Sequence, residues 1–86
     1  MKHATAAALA RLSELLAEIR TRDGLAEKKL GIFYRKSRAF LHFHEDPAGL
    51  FADLSAAGGF ERHPVNTARE RKALLSALDR ALSAAR

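Results

Sequence analysis

The chain has 86 residues, a formal net charge of +5 and no cysteine. This length predicts a single domain, residues 1–86, with a thin core, and the composition excludes disulfides, thiolate metal sites and cysteine nucleophiles. The basic excess makes anionic partners a candidate class, although the cations are scattered along the chain. The alanine-rich N-terminal run is too polar for a secretory signal, which predicts a cytoplasmic protein without a membrane span.

The first predicted element is one amphipathic helix over about residues 5–22. Leu9, Leu12, Leu16 and Ile19 recur at steps of three and four residues, which puts an apolar stripe on one helical face. Asp23-Gly24 supplies the stop signal. We therefore expect this helix to pack its apolar face on the core, and we interpret residues 25–29 as a short connection.

The middle of the chain predicts three antiparallel strands joined by two tight turns. The predicted strands span about residues 30–35, 39–45 and 50–55. Residues 39–45 alternate apolar and polar side chains, and Asp46-Pro47-Ala48-Gly49 has the residue preferences of a type I turn. The alternative is a helix that begins after Asp46, with Pro47 in its first turn and Gly58 at its end.

The last third of the chain predicts a short edge strand and a second helix. Phe60 to Val65 contains Pro64, which a sheet tolerates only at an edge or at a strand end. Thr67-Ala68-Arg69-Glu70 matches a capping box, and leucines at helical spacing follow it. The expected fold class is a two-layer α+β domain of order α-β-β-β-α, with both helices on one face of a three-stranded antiparallel meander and the other face open.

Two histidines are the sharpest candidate for chemistry. His42 and His44 are two apart on a predicted strand and therefore lie on one face, about 7 Å apart. If His44 pairs with Phe51, Asp53 lies opposite His42 and completes a metal-binding or general acid-base set. A one-residue change of register sends Asp53 to the other face. The alternative is that the imidazoles are ordinary polar side chains on a solvated surface.

A basic segment interleaved with aromatic residues is the second candidate. The cations are Lys28, Lys29, Arg35, Lys36 and Arg38. Cations that meet phosphates and rings that stack on bases are the chemistry of nucleic-acid or other polyanion binding. The alternative is that Arg35 to Arg38 is a solvated hairpin tip.

Self-association is the third candidate. Phe40 and Phe51 are expected on the open sheet face, where they would expose more apolar surface than a small monomer usually leaves uncovered. A two-fold homodimer would cover them. The alternative is that Arg35 or the C-terminal helix folds over this surface.

Catalytic templates are missing from the sequence. It has no phosphate-binding glycine loop, no Gly-x-Ser-x-Gly elbow and no His-Glu-x-x-His helix, so it predicts no cofactor and leaves open whether the protein is an enzyme. The leading interpretation is a non-enzymatic binding or self-associating domain.

The segment Gly31 to Leu54 carries Phe-Tyr-Arg-Lys-Ser-Arg-Ala-Phe-Leu-His-Phe-His-Glu-Asp and then Gly-Leu-Phe-Ala-Asp-Leu. With Phe60-Glu61-Arg62 and the Thr-x-x-Glu helix start, it resembles a family of small bacterial α+β domains that carry no assigned activity. The resemblance covers about the C-terminal two thirds of the chain. It implies a free-standing bacterial protein and brings no functional residues.

Overall fold

The protein consists of one antiparallel sheet and three helices, and the structure, a computed structural model, describes residues 2–84. The strands are β1 (Lys2–His3), β2 (Ala26–Lys29), β3 (Ile32–Arg35), β4 (Arg38–Asp46), β5 (Gly49–Ala56) and β6 (Gly59–Pro64). The helices are α1 (Ala6–Ala10), α2 (Ser13–Arg20) and α3 (Ala68–Ala84).

The sheet is larger than the sequence predicted. Strands β2 to β6 form a meander in chain order, and β1 and β3 both pair with β4, at opposite ends of that strand. The prediction of a three-stranded meander is therefore wrong. Strand β2 has the sequence Ala-Glu-Lys-Lys, which lacks β-branched and aromatic residues but suits an exposed edge, where lysines discourage further pairing. Strand β1 is too short to show any periodicity.

The prolyl turn joins two strands, so the alternative of a helix after Asp46 is wrong. Asp46 pairs with Gly49, and the Ala48 backbone N–H donates to Asp46 Oδ1 at 2.7 Å. The side chain of Asp46 thereby stabilises the turn two positions further on. The pairing continues without a slip, which places His44 opposite Phe51.

The core lies between one face of the sheet and the helices. Leu41 and Phe43 on β4 face Leu54 and Ala52 on β5, and all four are buried. They join the buried leucines of α1, α2 and α3 in a single cluster. The alternation of β4 and β5 therefore sends apolar side chains toward the helices and polar ones toward the opposite face, which we call the open face.

The N-terminal segment forms two short helices, so the prediction of one helix over residues 5–22 is wrong. The backbone N–H groups of Arg11 and Leu12 donate to carbonyls three residues earlier, which tightens the chain into a turn between α1 and α2. Leu12 is still buried, so the apolar stripe is kept across the break. No glycine or proline marks this position, and the leucine spacing is the same on both sides.

Strand β4 contains a β-bulge at Phe40. Phe33 pairs with Leu41 and Tyr34 pairs with Ala39, so Phe40 is an extra residue without a partner on β3. The bulge turns the Phe40 side chain toward the core, where it is 7% exposed. The expectation that Phe40 lies on the open face is therefore wrong.

The capping box at the start of α3 is confirmed. The Glu70 backbone N–H donates to Thr67 Oγ1 at 3.1 Å, and the Thr67 N–H donates to Glu70 Oε1 at 3.1 Å. The two residues thus satisfy each other's exposed backbone donors. Within residues 2–84, no helix is both long enough and apolar enough to cross a lipid bilayer.

Candidate metal centre

Two rows of paired residues build the centre of the open face. His3 pairs with His44 across β1 and β4, and His44 pairs with Phe51 on β5. In the neighbouring row, His42 pairs with Asp53, which pairs in turn with Arg62 on β6. Residues that pair across antiparallel strands point to the same face, so three imidazoles and one ion pair share this surface.

The three imidazoles are in mutual contact. The ring centroid of His42 lies 5.0 Å from that of His44 and 5.9 Å from that of His3, and the His3 and His44 centroids are 4.8 Å apart. Each residue offers one ring nitrogen such that the three nitrogens lie within 4.8 Å of one another. A tetrahedral zinc ion with Zn–N bonds of about 2.05 Å needs nitrogens ~3.3 Å apart, so small side-chain rotations would close the set.

Two ring nitrogens of the cluster are buried without a hydrogen bond. His42 Nδ1 and His44 Nδ1 are sealed from solvent, and neither has a hydrogen-bond partner within residues 2–84. His44 Nδ1 lies 3.0 Å from Asp53 Oδ2, but the contact lacks the alignment of a hydrogen bond. A buried polar atom without a partner destabilises the fold, so its presence in a cluster of ligand-type side chains points to a missing partner.

Burial also keeps His42 in the form that binds metals. Burial of its ring is the main cause that lowers the pKa of His42, and the neighbouring His44 lowers it further. The charge of Asp53 opposes these effects only in part. Metal ions bind the neutral imidazole, so a lowered pKa extends the range of pH over which His42 is a competent ligand.

Asp53 forms an ion pair with Arg62 and also contacts His44 of the imidazole cluster. Asp53 is 5% exposed, and Arg62 donates to Oδ1 and Oδ2 at 2.8 Å each. This bidentate pair is the main cause that lowers the pKa of Asp53. Its second oxygen also faces His44 Nδ1, which is the position of the carboxylate in carboxylate–histidine–metal arrangements.

The structure brings together part of the predicted set and adds one residue. Of the two hairpin registers that the sequence left open, the structure adopts the one in which His42 lies opposite Asp53. His3 replaces Asp53 as the third member of the cluster with ligand geometry. Sequence reasoning missed His3, since a two-residue strand leaves no periodic signal. His63 lies on the opposite face, beside Ala52, where its Nε2 contacts Glu61 at 3.1 Å.

The predicted basic set does not form one patch. Lys28 and Lys29 lie on β2, where Lys28 Nζ sits 5.2 Å from the centre of the Tyr34 ring. Arg35 lies over the Phe40 ring and donates to the Leu82 carbonyl at 3.2 Å. Lys36 and Arg38 are exposed at the other end of β3 and β4. Phe51 lies on the open face and is half-buried.

Comparison with protein-family models, with curated proteins and with solved structures finds no match. The resemblance to a family of small bacterial domains therefore stays a prediction. The site must be interpreted from its own geometry.

Proposed function

We propose that the protein binds a divalent transition-metal ion, Zn²⁺ in the first instance, through His3, His42 and His44. The observation that carries the proposal is the cluster of three imidazoles with ligand nitrogens within 4.8 Å of one another. The buried His42 Nδ1, which has no hydrogen bond, fits the same interpretation, because a bound ion would supply a partner. Neutral imidazole is a ligand that zinc, copper, nickel and iron all accept.

The donor set implies what the ion would do. Three protein nitrogens leave a coordination position for water or another ligand, which distinguishes catalytic zinc sites from closed structural ones. A zinc ion would lower the pKa of a bound water and polarise an oxygen ligand. Asp53 would orient His44 through Nδ1, and Arg62 would hold Asp53 in its ionised form. The acid-base and metal roles predicted for the open face thus converge on the imidazole cluster.

Isothermal titration with Zn²⁺ tests the proposal. We expect one ion per chain for the wild type and at least about 100-fold weaker binding for His3→Ala and His42→Ala, since losing even a supporting residue around a metal costs about 10- to 100-fold. His63→Ala is the matched control, because it removes a histidine from the opposite face and should leave binding unchanged. Asp53→Asn should weaken binding by about tenfold.

Two results would contradict the proposal. The first is negligible Zn²⁺ uptake by the wild type. The second is equal uptake by wild type, His3→Ala and His42→Ala. His3 is exposed and lies outside the core, so a loss of binding in His3→Ala cannot be ascribed to unfolding. Substituted Co²⁺ provides a second readout, because its visible absorption reports the geometry of a nitrogen site directly.

The homodimer predicted from the sequence stays a prediction. Phe40 lies in the core, so the exposed aromatic surface that motivated it is reduced to Phe51 and its neighbours. Bacterial origin and a cytoplasmic location also remain predictions. None of them is required for the metal site, which is built from a single chain.

A further inference from the structure

A second candidate site lies where the β3–β4 and β5–β6 hairpins turn. A cleft open to solvent is lined there by the cations Arg35, Lys36 and Arg38 and by the rings of Phe40 and Phe60. Among residues 2–84, none of those that line the cleft is acidic. The cleft therefore combines a positive potential with apolar and aromatic walls, which suits a ligand that carries both negative charge and flat rings.

The three cations differ in how they are held. Arg35 is fixed, since it donates to the Leu82 carbonyl and lies 5.7 Å from the centre of the Phe40 ring. Lys36 and Arg38 are exposed, and neither forms an ion pair with any residue in the range 2–84. Their charges are therefore free for an external anion. Of the two acidic side chains on β5 and β6, Asp53 is paired with Arg62 and Glu61 contacts His63.

Phe60 supplies an aromatic surface beside these cations. Its side chain is 51% exposed, although it is one of the largest apolar residues of the sheet. One part of the ring contacts the imidazole of His42, with centroids 4.8 Å apart. An exposed ring next to unpaired cations is the combination with which proteins stack bases and hold the phosphates of a single strand.

The hairpin tip that presents Lys36 is strained. Lys36 and Ser37 have φ angles of +51° and +69°, a conformation that β-hairpin turns usually assign to asparagine and glycine. Non-glycine residues held in this region concentrate at functional sites, because the fold must support their strain. The two-residue turn places Lys36 and Arg38 at the rim of the cleft.

We propose that this cleft binds single-stranded nucleic acid without sequence preference. Lys36 and Arg38 contact backbone phosphates, and a base stacks on Phe60. A strand fits better than a free nucleotide, because small-molecule sites enclose most of their ligand and this cleft is open. The proposal does not depend on a metal, since no cation of the cleft belongs to the imidazole cluster.

Fluorescence anisotropy tests the phosphate contacts. The probe is a labelled oligothymidylate of about 12 nucleotides, and its binding is measured at several salt concentrations with EDTA present. Each phosphate contact on a single strand contributes about 0.7 to the slope of log K against log salt, so Lys36→Ala/Arg38→Ala should reduce the slope by about 1.4. Lys28→Ala/Lys29→Ala is the matched control, since it removes the same charge from exposed positions on β2. An equal loss in both variants would mean diffuse attraction and overturn the proposal.

Phe60→Ala tests the stacking contact. We expect at least about fivefold weaker binding with an unchanged salt slope, because stacking is worth that much or more per base and involves no charge. The exposed position of Phe60 makes the substitution compatible with folding, which circular dichroism checks. Wild-type affinity in Phe60→Ala, or no binding of the oligomer by wild type at low salt, would overturn the proposal. Displacement of the oligomer by thymidine monophosphate at equal nucleotide concentration would also overturn the proposal, because it would indicate that the cleft binds a free nucleotide.

Discussion

The two faces of the sheet are built from the same strands and have opposite character. On β4 and β5, Leu41 and Leu54 face the helices, while His42 and Asp53, one position away on each strand, face outward. The covered face of these two strands consists mainly of apolar residues, which are stabilised by burial. The open face satisfies Asp53 with Arg62 but leaves two buried imidazole nitrogens without hydrogen bonds.

This difference separates the residues that hold the fold from those available for chemistry. A core side chain stabilises the native state in proportion to the apolar area that it removes from water. A buried nitrogen without a partner does the opposite, and natural structures keep such groups where they serve another purpose. We therefore expect substitutions on the two faces to change the free energy of unfolding by different amounts and, in one case, in the opposite direction.

The largest effect is expected on the covered face. Leu41 is fully buried, so Leu41→Ala should lower the free energy of unfolding by about 2–5 kcal/mol, through lost burial and the cavity that remains. Urea denaturation measures the change. Leu30→Ala is the control, because Leu30 is 53% exposed and its truncation should cost no more than about 0.5 kcal/mol. Equal losses at the two positions would show that Leu41 is not a core residue.

A smaller effect is expected for the ion pair on the open face. Arg62→Ala leaves the buried Asp53 carboxylate without its two hydrogen bonds from arginine and should lower the free energy of unfolding, by less than Leu41→Ala does. The free energy of unfolding of Arg62→Ala, Asp53→Asn and the double variant, measured together, isolates the coupling between the two side chains. Additive losses would contradict the pairing. Arg69→Ala, an exposed arginine on α3, should leave stability within about 0.5 kcal/mol.

The sequence is sufficient to predict the parts of the fold that carry strong local signals. The turn at Asp46 to Gly49, the alternation of β4 from Leu41 to His44 and the capping box at Thr67 and Glu70 each depend on residues close together in the chain, and each is confirmed. The helix break at Arg11 and Leu12 and the strand β2 could not be predicted. Strand β2 pairs with its neighbour β3 although its residues have low strand propensity, and no residue of low helix propensity marks the helix break.

The candidate site shows the same limit. The sequence predicts His42 and His44 on one face from strand alternation, but it leaves open the hairpin register that places Asp53 opposite His42. It cannot show His3, whose pairing with His44 joins positions far apart in the chain. It also misplaces Phe40, because a bulge depends on how β3 and β4 pair and leaves no mark in the residue pattern.

The smallest expected effect on stability is an increase rather than a decrease in the free energy of unfolding. His42→Phe keeps an aromatic ring against Phe60 and removes the buried Nδ1, so without metal the free energy of unfolding should rise by about 1 kcal/mol. Zn²⁺ at 100 times its dissociation constant should then stabilise the wild type by about 2.7 kcal/mol and leave the variant unchanged. Thermal or urea unfolding with EDTA and with Zn²⁺ measures both effects.

For a metal site, the wild type should be less stable than His42→Phe in EDTA and more stable than it in Zn²⁺. This reversal distinguishes a metal site from a histidine with a purely structural role. A histidine that only packs against its neighbours would make His42→Phe neutral or stabilising in both conditions, because zinc would then bind neither protein. If His42→Phe is less stable than the wild type in EDTA, His42 Nδ1 must already have a partner in solution, such as a bound water, and this nitrogen would not be an unsatisfied group for a metal to complete.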